Sequence, residues 1–252
     1  MPLWLQAALW GLLSGSALLL GAGTAWIASI PQRAVAAIMA FGSGVLISAL
    51  SFELMDKAYS EGGFTASALG FVSGAAVYTA ANVALAAHGA KHRKRSGQTK
   101  DSKQPSDTGS GIAIAVAALL DGIPESIAIG VTMIAGGAVS MVAVAAVFLS
   151  NIPEGLSSAA GMKNAGRSAL YVFGIWRAIA VISGVAALIG YAAFSHFSMG
   201  VIAATEAVAA GAILAMIADT MIPEAFEMAH NYAGLITVVG FLVAFTLSKL
   251  TG

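Results

Sequence analysis

The 252-residue chain contains no cysteine, which excludes disulfides and any thiolate metal centre and leaves the redox compartment unreadable. Charge is scarce. Asp, Glu, Lys and Arg together make up 10% of the residues, where a soluble domain carries about 25%. Histidine is nearly absent, with four in the whole chain, and those near apolar runs stand at their ends. No Ser–His pair can therefore form inside a run, and the Gly-x-Gly-Asp motif of intramembrane aspartyl proteases is missing too. The expectation is not an enzyme. The N-terminus, Met1-Pro2-Leu3-Trp4, lacks the basic region of a secretory signal, so its apolar run reads as a first span.

What is present is hydrophobic. Such residues make up 58% of the chain, and the mean hydropathy is +0.87. This is the composition of a polytopic integral membrane protein. A span needs roughly 20 apolar residues, and eight stretches meet that length: 3–27, 35–56, 66–88, 112–134, 139–162, 169–194, 205–227 and 233–250. One hydrophilic segment, 89–110, carries Lys91, Arg93, Lys94, Arg95, Lys100 and Lys103. A basic run beside membrane spans reads as a cytoplasmic, disordered loop rather than a nucleic-acid site. With that loop inside, Arg33, Lys163 and Arg167 also fall inside, Lys57 and Lys249 fall outside, and both termini are extracytoplasmic.

Two stretches in the middle of the chain repeat an idea. Leu120-Asp121-Gly122-Ile123-Pro124-Glu125-Ser126 and Leu149-Ser150-Asn151-Ile152-Pro153-Glu154-Gly155 each place a carboxylate after a proline inside an apolar run. A polar residue precedes each glutamate by four positions, so Asp121 shares a helix face with Glu125 and Ser150 with Glu154. Carboxylates in lipid are costly and by default mark function. Each proline frees the carbonyl four residues back, which a cation, water or side chain must satisfy. At ~1.5 Å per residue, Asp121 and Glu154 lie roughly 12–15 Å from the cytoplasmic ends, near mid-membrane. Three carboxylates with Ser150 and Asn151 are then expected at one point, an oxygen-rich set suited to a divalent cation.

The flanks repeat as well. The segment from Ser43-Gly44 to Met55-Asp56-Lys57-Ala58 overlays the one from Ala210-Gly211 to Ile222-Pro223-Glu224-Ala225. Leu69-Gly70-Phe71-Val72 overlays Val239-Gly240-Phe241-Leu242 more weakly. An odd number of spans separates the copies, so the second is inverted, which is a transporter architecture. The expected fold is all-α, a single transmembrane domain of eight helices arranged 3+2+3. Repeat one covers 1–88, the loop 89–110, the central pair 111–162 and repeat two 168–250.

The paired Ile-Pro-Glu motifs, eight spans, outer termini and basic loop together resemble the ZIP (Zrt/Irt-like) metal transporters, most closely a divergent bacterial-type member. Members of that family typically carry His-Asn-x-Pro-Glu-Gly in the fourth span and a related motif in the fifth. The likeness runs over essentially the whole chain, including Gly211 through Pro223-Glu224-Ala225. It implies metal held between the fourth and fifth spans, by Asp121, Glu125, Ser150, Asn151 and Glu154. It also implies transport towards the cytoplasm, across a bacterial inner membrane. Asp121, Gly122 and Ser150 depart from the family's His, Asn and His or Gln, and Ser183 stands where many relatives have a glutamate. The all-oxygen set that results keeps zinc as the first substrate to test but raises manganese and iron. The metal is substrate, and no organic cofactor is implied. Expected partners are lipid and the ion, with a homodimer left open and no nucleic acid.

Other polar residues are candidates for a route or for coupling. Arg177 is expected inside the sixth span, as a counter-ion to one carboxylate or in the place of a cation. Glu53 and Asp56 form either an outer cation funnel or a solvated helix end. Asp219 and Glu224 descend the seventh span, followed by Glu227 and His230 at its end. His88 and His92 flank the basic loop as weak metal candidates, and His196 reads as an exposed loop residue. The competing reading, motivated by Arg177 and the missing histidines, is a proton-coupled carrier of a non-metal solute on the same fold.

Overall fold

The computed structural model describes residues 1–85 and 109–251. The basic run, His88 and His92 lie outside them. Among the described residues there is no strand, and nine α-helices account for nearly everything. They are α1 (Leu3–Ile27), α2 (Gln32–Ala49), α3 (Asp56–Leu85), α4 (Gly109–Gly136), α5 (Met141–Asn164), α6 (Ala169–Phe194), α7 (Met199–Met216), α8 (Ile222–Ala229) and α9 (Ala233–Thr251). A π-turn at Leu50–Met55 joins α2 to α3, and another at Ile217–Met221 joins α7 to α8.

Local chemistry sets these bounds. Pro2 and Pro31 sit at the N-caps of α1 and α2 in extended conformation, where their missing N–H costs nothing. Ser140 and Ser168 cap α5 and α6 by accepting hydrogen bonds from Ala143 N and Tyr171 N at 3.2 and 3.3 Å. Six helical stretches among the described residues are long and apolar enough to cross a membrane. They are Leu3–Ile27, Gln32–Leu85, Met141–Asn164, Ala169–Phe194, Met199–Glu227 and His230–Leu250. Large apolar side chains on the outside of the bundle, among them Leu69, Val77, Leu170 and Leu250, face where lipid would be. The protein is thus an all-helical integral membrane protein.

The 54-residue stretch Gln32–Leu85 is not one rod. At Gly63 the backbone takes φ 71° and ψ 177°, a region close to glycine-only. Gly63→Ala is therefore expected to cost about 1–3 kcal/mol, read as a lower unfolding midpoint in detergent. His230, with φ 47°, makes the matching break after α8 and is the one non-glycine residue with positive φ among the described residues.

These irregularities recur at a fixed interval. α2 and α7 both span 18 residues, and their bounds, the starts of their π-turns and the breaks at Gly63 and His230 each lie 167 positions apart. Close backbone approaches repeat too. Gly44 of α2 meets the Thr237 carbonyl of α9, as Gly211 of α7 meets that of Phe71 in α3. Gly240 meets the Phe41 carbonyl, as Gly74 meets that of Val208. These contacts pair Gly74, not Gly70, with Gly240. The expected overlay of α3 on α9 is therefore off by one helical turn.

Candidate functional site

α5 supplies the spine of the site. It carries Pro153 in its interior, and one face of it is lined by small and polar residues: Ala143, Ala146, Val147, Ser150, Glu154, Ser157 and Ser158. α2 faces this stripe with Met39, Leu46 and Ala49. Two hollows lie along the seam between them.

The first hollow is a narrow cleft lined by Met39, Ser150, Glu154, Ser157, Ser158, Met221 and Glu224. It brings the second Ile-Pro-Glu motif, on α5, together with the third, on α8. Both glutamates are half-buried. Ser157 and Ser158 lie three and four residues after Glu154, on its own helix face. That spacing, already used for Ser150, was signal enough to find them in the sequence.

The second hollow is small and apolar except for Glu125. Leu46, Ala49, Leu50, Leu54, Ala128, Ile129, Ala143, Ala146, Val147 and Ile213 surround it, and Glu125 is 2% exposed. Asp121, 3% exposed, accepts a hydrogen bond at 2.9 Å from the Tyr78 hydroxyl of α3. Tyr78 stands in the middle of the expected span 66–88 and was not singled out in the sequence.

Several expected site residues stand elsewhere. Among the described residues no three His, Asp or Glu side chains gather into a group that could hold a metal ion. The single convergence point of Asp121, Glu125 and Glu154 is therefore not what the fold presents. Asn151 is buried but donates to the Ser14 carbonyl of α1 at 3.0 Å, bracing α5 against α1. Ser150 faces the cleft, and its hydroxyl donates to the Val147 carbonyl one turn back at 2.9 Å. Ser183 packs against Gly15 of α1.

Arg177 is the clearest correction. It is exposed and makes no ion pair among the described residues. α6 buries the face carrying Trp176, Ile179, Ala180 and Ser183, which turns Arg177 outward, where its long stem can carry the guanidinium towards an interface. This outward placement supports neither of the two roles expected of it, counter-ion to a carboxylate or occupant of a cation's place.

The remaining candidates divide. Glu53, in the first π-turn, accepts 2.7 Å bonds from Ser140 Oγ and Ser248 Oγ, tying α5 and α9 to that turn. It is an anchor rather than a funnel. Asp56 and Asp219 are exposed, as are Glu227, His196 and His230. One buried acid escaped the sequence reading altogether. Glu206, 0% exposed, forms a 2.8 Å ion pair with Lys57. The span was expected to begin at 205, which put Glu206 in a solvated first turn, whereas α7 starts at Met199.

Neither a scan against protein-family models nor a search of the curated proteins returns a match.

Proposed function

We propose that the chain carries a divalent metal cation across the membrane, with Glu154 and Glu224 as the carboxylates that hold it on one side and Glu125 as the acid it meets on the other. The observation that carries this reading is the cleft in which two Pro-Glu steps from different helices are joined by three serines and two methionine thioethers. Two carboxylates with hydroxyl oxygens form a hard, loosely filled ligand set, suited to an ion that must bind and then leave. The methionines give zinc or iron a softer surface than oxygen alone.

The mechanism follows from the seam between α2 and α5. A cation entering the apolar hollow gains only the Glu125 carboxylate there, so it exchanges its water stepwise rather than settling. Along α5 the next acceptors are Ser150 and then Glu154, and Glu224 completes the set from α8. Release follows when α8 swings on its two irregular ends or when a carboxylate takes a proton.

Eight crossings arranged 3+2+3 with an inverted repeat are the architecture this reading uses. The 167-residue recurrence supports the repeat. The two central helices fit the same relation with a twist. Gly21 of α1 meets the Ile152 carbonyl and Gly155 meets that of Leu18, while Gly190 of α6 meets the Ile127 carbonyl and Gly130 meets that of Ala187. In that correspondence Ile127 matches Ile152, so Glu125 matches Ser150 and the two Pro-Glu steps are offset by one turn. The offset is why one glutamate faces the apolar hollow and the other the cleft. The orientation is supported by Lys163, whose Nζ donates to the Trp26 carbonyl at 2.8 Å and lies 5.3 Å from the Trp26 ring centre, and by Arg167 over Tyr171. Cations and aromatics ringing one end suit a cytoplasmic interface. That end is called inner below. The ZIP likeness of the sequence points to the same function and to a bacterial inner membrane.

The test is cation uptake by the purified chain in liposomes, comparing zinc, manganese and iron. Uptake above that of empty liposomes, lost in Glu154→Gln/Glu224→Gln, is the expected result.

A further inference from the structure

Two buried carboxylate oxygens outside the cleft and the Glu125 hollow lack a hydrogen-bond partner. One is Oε2 of Glu206, a residue 0% exposed whose Oε1 accepts a 2.8 Å bond from Lys57 Nζ. The other is Oε2 of Glu61.

The fold brings these acids to one place. Glu61 follows Lys57 by four positions in the helical segment 56–62, so the two share a face. Gly62, next along, packs against Ala203, which stands one turn before Glu206 on α7. The Glu61 carboxylate is close enough for its charge to act on that of Glu206. Around them pack Ala58, Ala203 and Ala207, all 0% exposed, whose side chains offer no hydrogen-bond donor. Other titratable groups on the elements against α7 are turned elsewhere. Glu53 is held by Ser140 and Ser248, and Asp121 by Tyr78. Asp56, Tyr59 and Asp219 are exposed. Glu125 lies in the apolar hollow beside Ile213, two turns further along α7.

The charge of this niche does not balance. One ammonium faces two carboxylates. Two carboxylates in one site resist being ionised together, and a buried oxygen left without a donor costs free energy. A single proton corrects both faults. It removes one negative charge and gives one carboxyl group a hydrogen to donate to the other. A metal ion would first have to displace the Lys57 ammonium, which already stands 2.8 Å from Glu206.

We infer that Glu61 and Glu206, beside Lys57, form a binding site for one exchangeable proton shared between the two carboxyl groups. Glu61 is half-buried and gives that proton a way to water. α6 leaves the inner end and α7 starts at the opposite one, which puts the site near the outer end. In a carrier, such a site couples movement of the solute to a proton. That use rests on the function proposed above; the site itself does not.

Infrared spectroscopy of the purified chain tests it, because a protonated carboxyl group and a carboxylate absorb in separate bands. Spectra are taken at neutral pH of the parent, Glu206→Gln and Glu61→Gln. Either substitution leaves a single carboxylate beside Lys57 and no acid to share a proton with. Both variants should therefore lose the intensity of one protonated carboxyl group relative to the parent. Glu61→Gln keeps the Lys57–Glu206 bond, and so decides the matter where Glu206→Gln does not fold. Loss of carboxylate intensity alone in Glu61→Gln would overturn the proposal, since the proton would then not depend on the pair. So would loss of carboxylate intensity alone in both variants, which would mean that both acids are ionised in the parent. The readout needs no metal, so its outcome is separate from that of the uptake experiment.

Discussion

Replacing Glu154 by glutamine should weaken manganese binding to the purified chain by about 10–100-fold or more, since loss of an outer-shell partner alone costs that much in metal sites. Glu224→Gln should do the same. The two changes together should add little to either alone. Glu154 comes from α5 and Glu224 from α8, and the two line one cleft. If they hold one ion, the first substitution already removes most of the binding, and the cycle shows strong coupling. Independent surface acids would instead give additive, small losses. Titration followed by electron paramagnetic resonance of free manganese measures all four proteins. Ser157→Ala falls between these cases, because a hydroxyl contributes a neutral oxygen and no charge.

Glu125→Met should separate stability from transport. Glu125 is the only polar side chain lining an otherwise apolar hollow, and it is 2% exposed. Burying an ionisable group costs free energy, and methionine fills a similar volume without that cost. Unfolding in detergent should therefore occur at the same or a higher temperature than in the parent chain. Uptake should fall to the rate of empty liposomes, because nothing else in that hollow offers a cation an oxygen. A stable variant with full uptake would remove Glu125 from the route. Asp121→Asn makes a useful contrast. Asp121 is engaged by the Tyr78 hydroxyl, and its loss should act first on the packing of α3 against α4.

Much of the fold is written in the hydropathy of the chain. The bounds of α1 and α6 coincide with the apolar runs 3–27 and 169–194, because proline or serine caps mark where each begins. The seventh span was expected from 205, although the polar run Ser195-His196-Phe197-Ser198 ends where α7 starts, at Met199. What hydropathy does not encode is rotation about the helix axis. A helix apolar nearly all round has no face to read, so the sequence could place Arg177 within the sixth helix but not on its outward side. The same ambiguity hid the turn of Asn151 towards Ser14, and with it the separation of Asp121, Glu125 and Glu154 into different surroundings. The cleft was partly legible. Ser150, Glu154 and Glu224 were all singled out by the proline–glutamate pattern, but nothing in the spacing said that α8 would bring Glu224 to α5. The break at Gly63 was visible as Gly62-Gly63. Its counterpart at His230 was not, because a histidine at positive φ has no sequence signature.

The central claim is that a divalent cation crosses the membrane by way of Glu154 and Glu224. Its most direct test is time-resolved uptake of zinc and manganese by liposomes containing the purified chain, the Glu154→Gln/Glu224→Gln chain, or no protein. Liposomes with the parent chain should fill rapidly with at least one of the two metals, and those with the double variant at the empty-liposome rate. Filling by the double variant as fast as by the parent, or no filling by the parent with either metal, would contradict it.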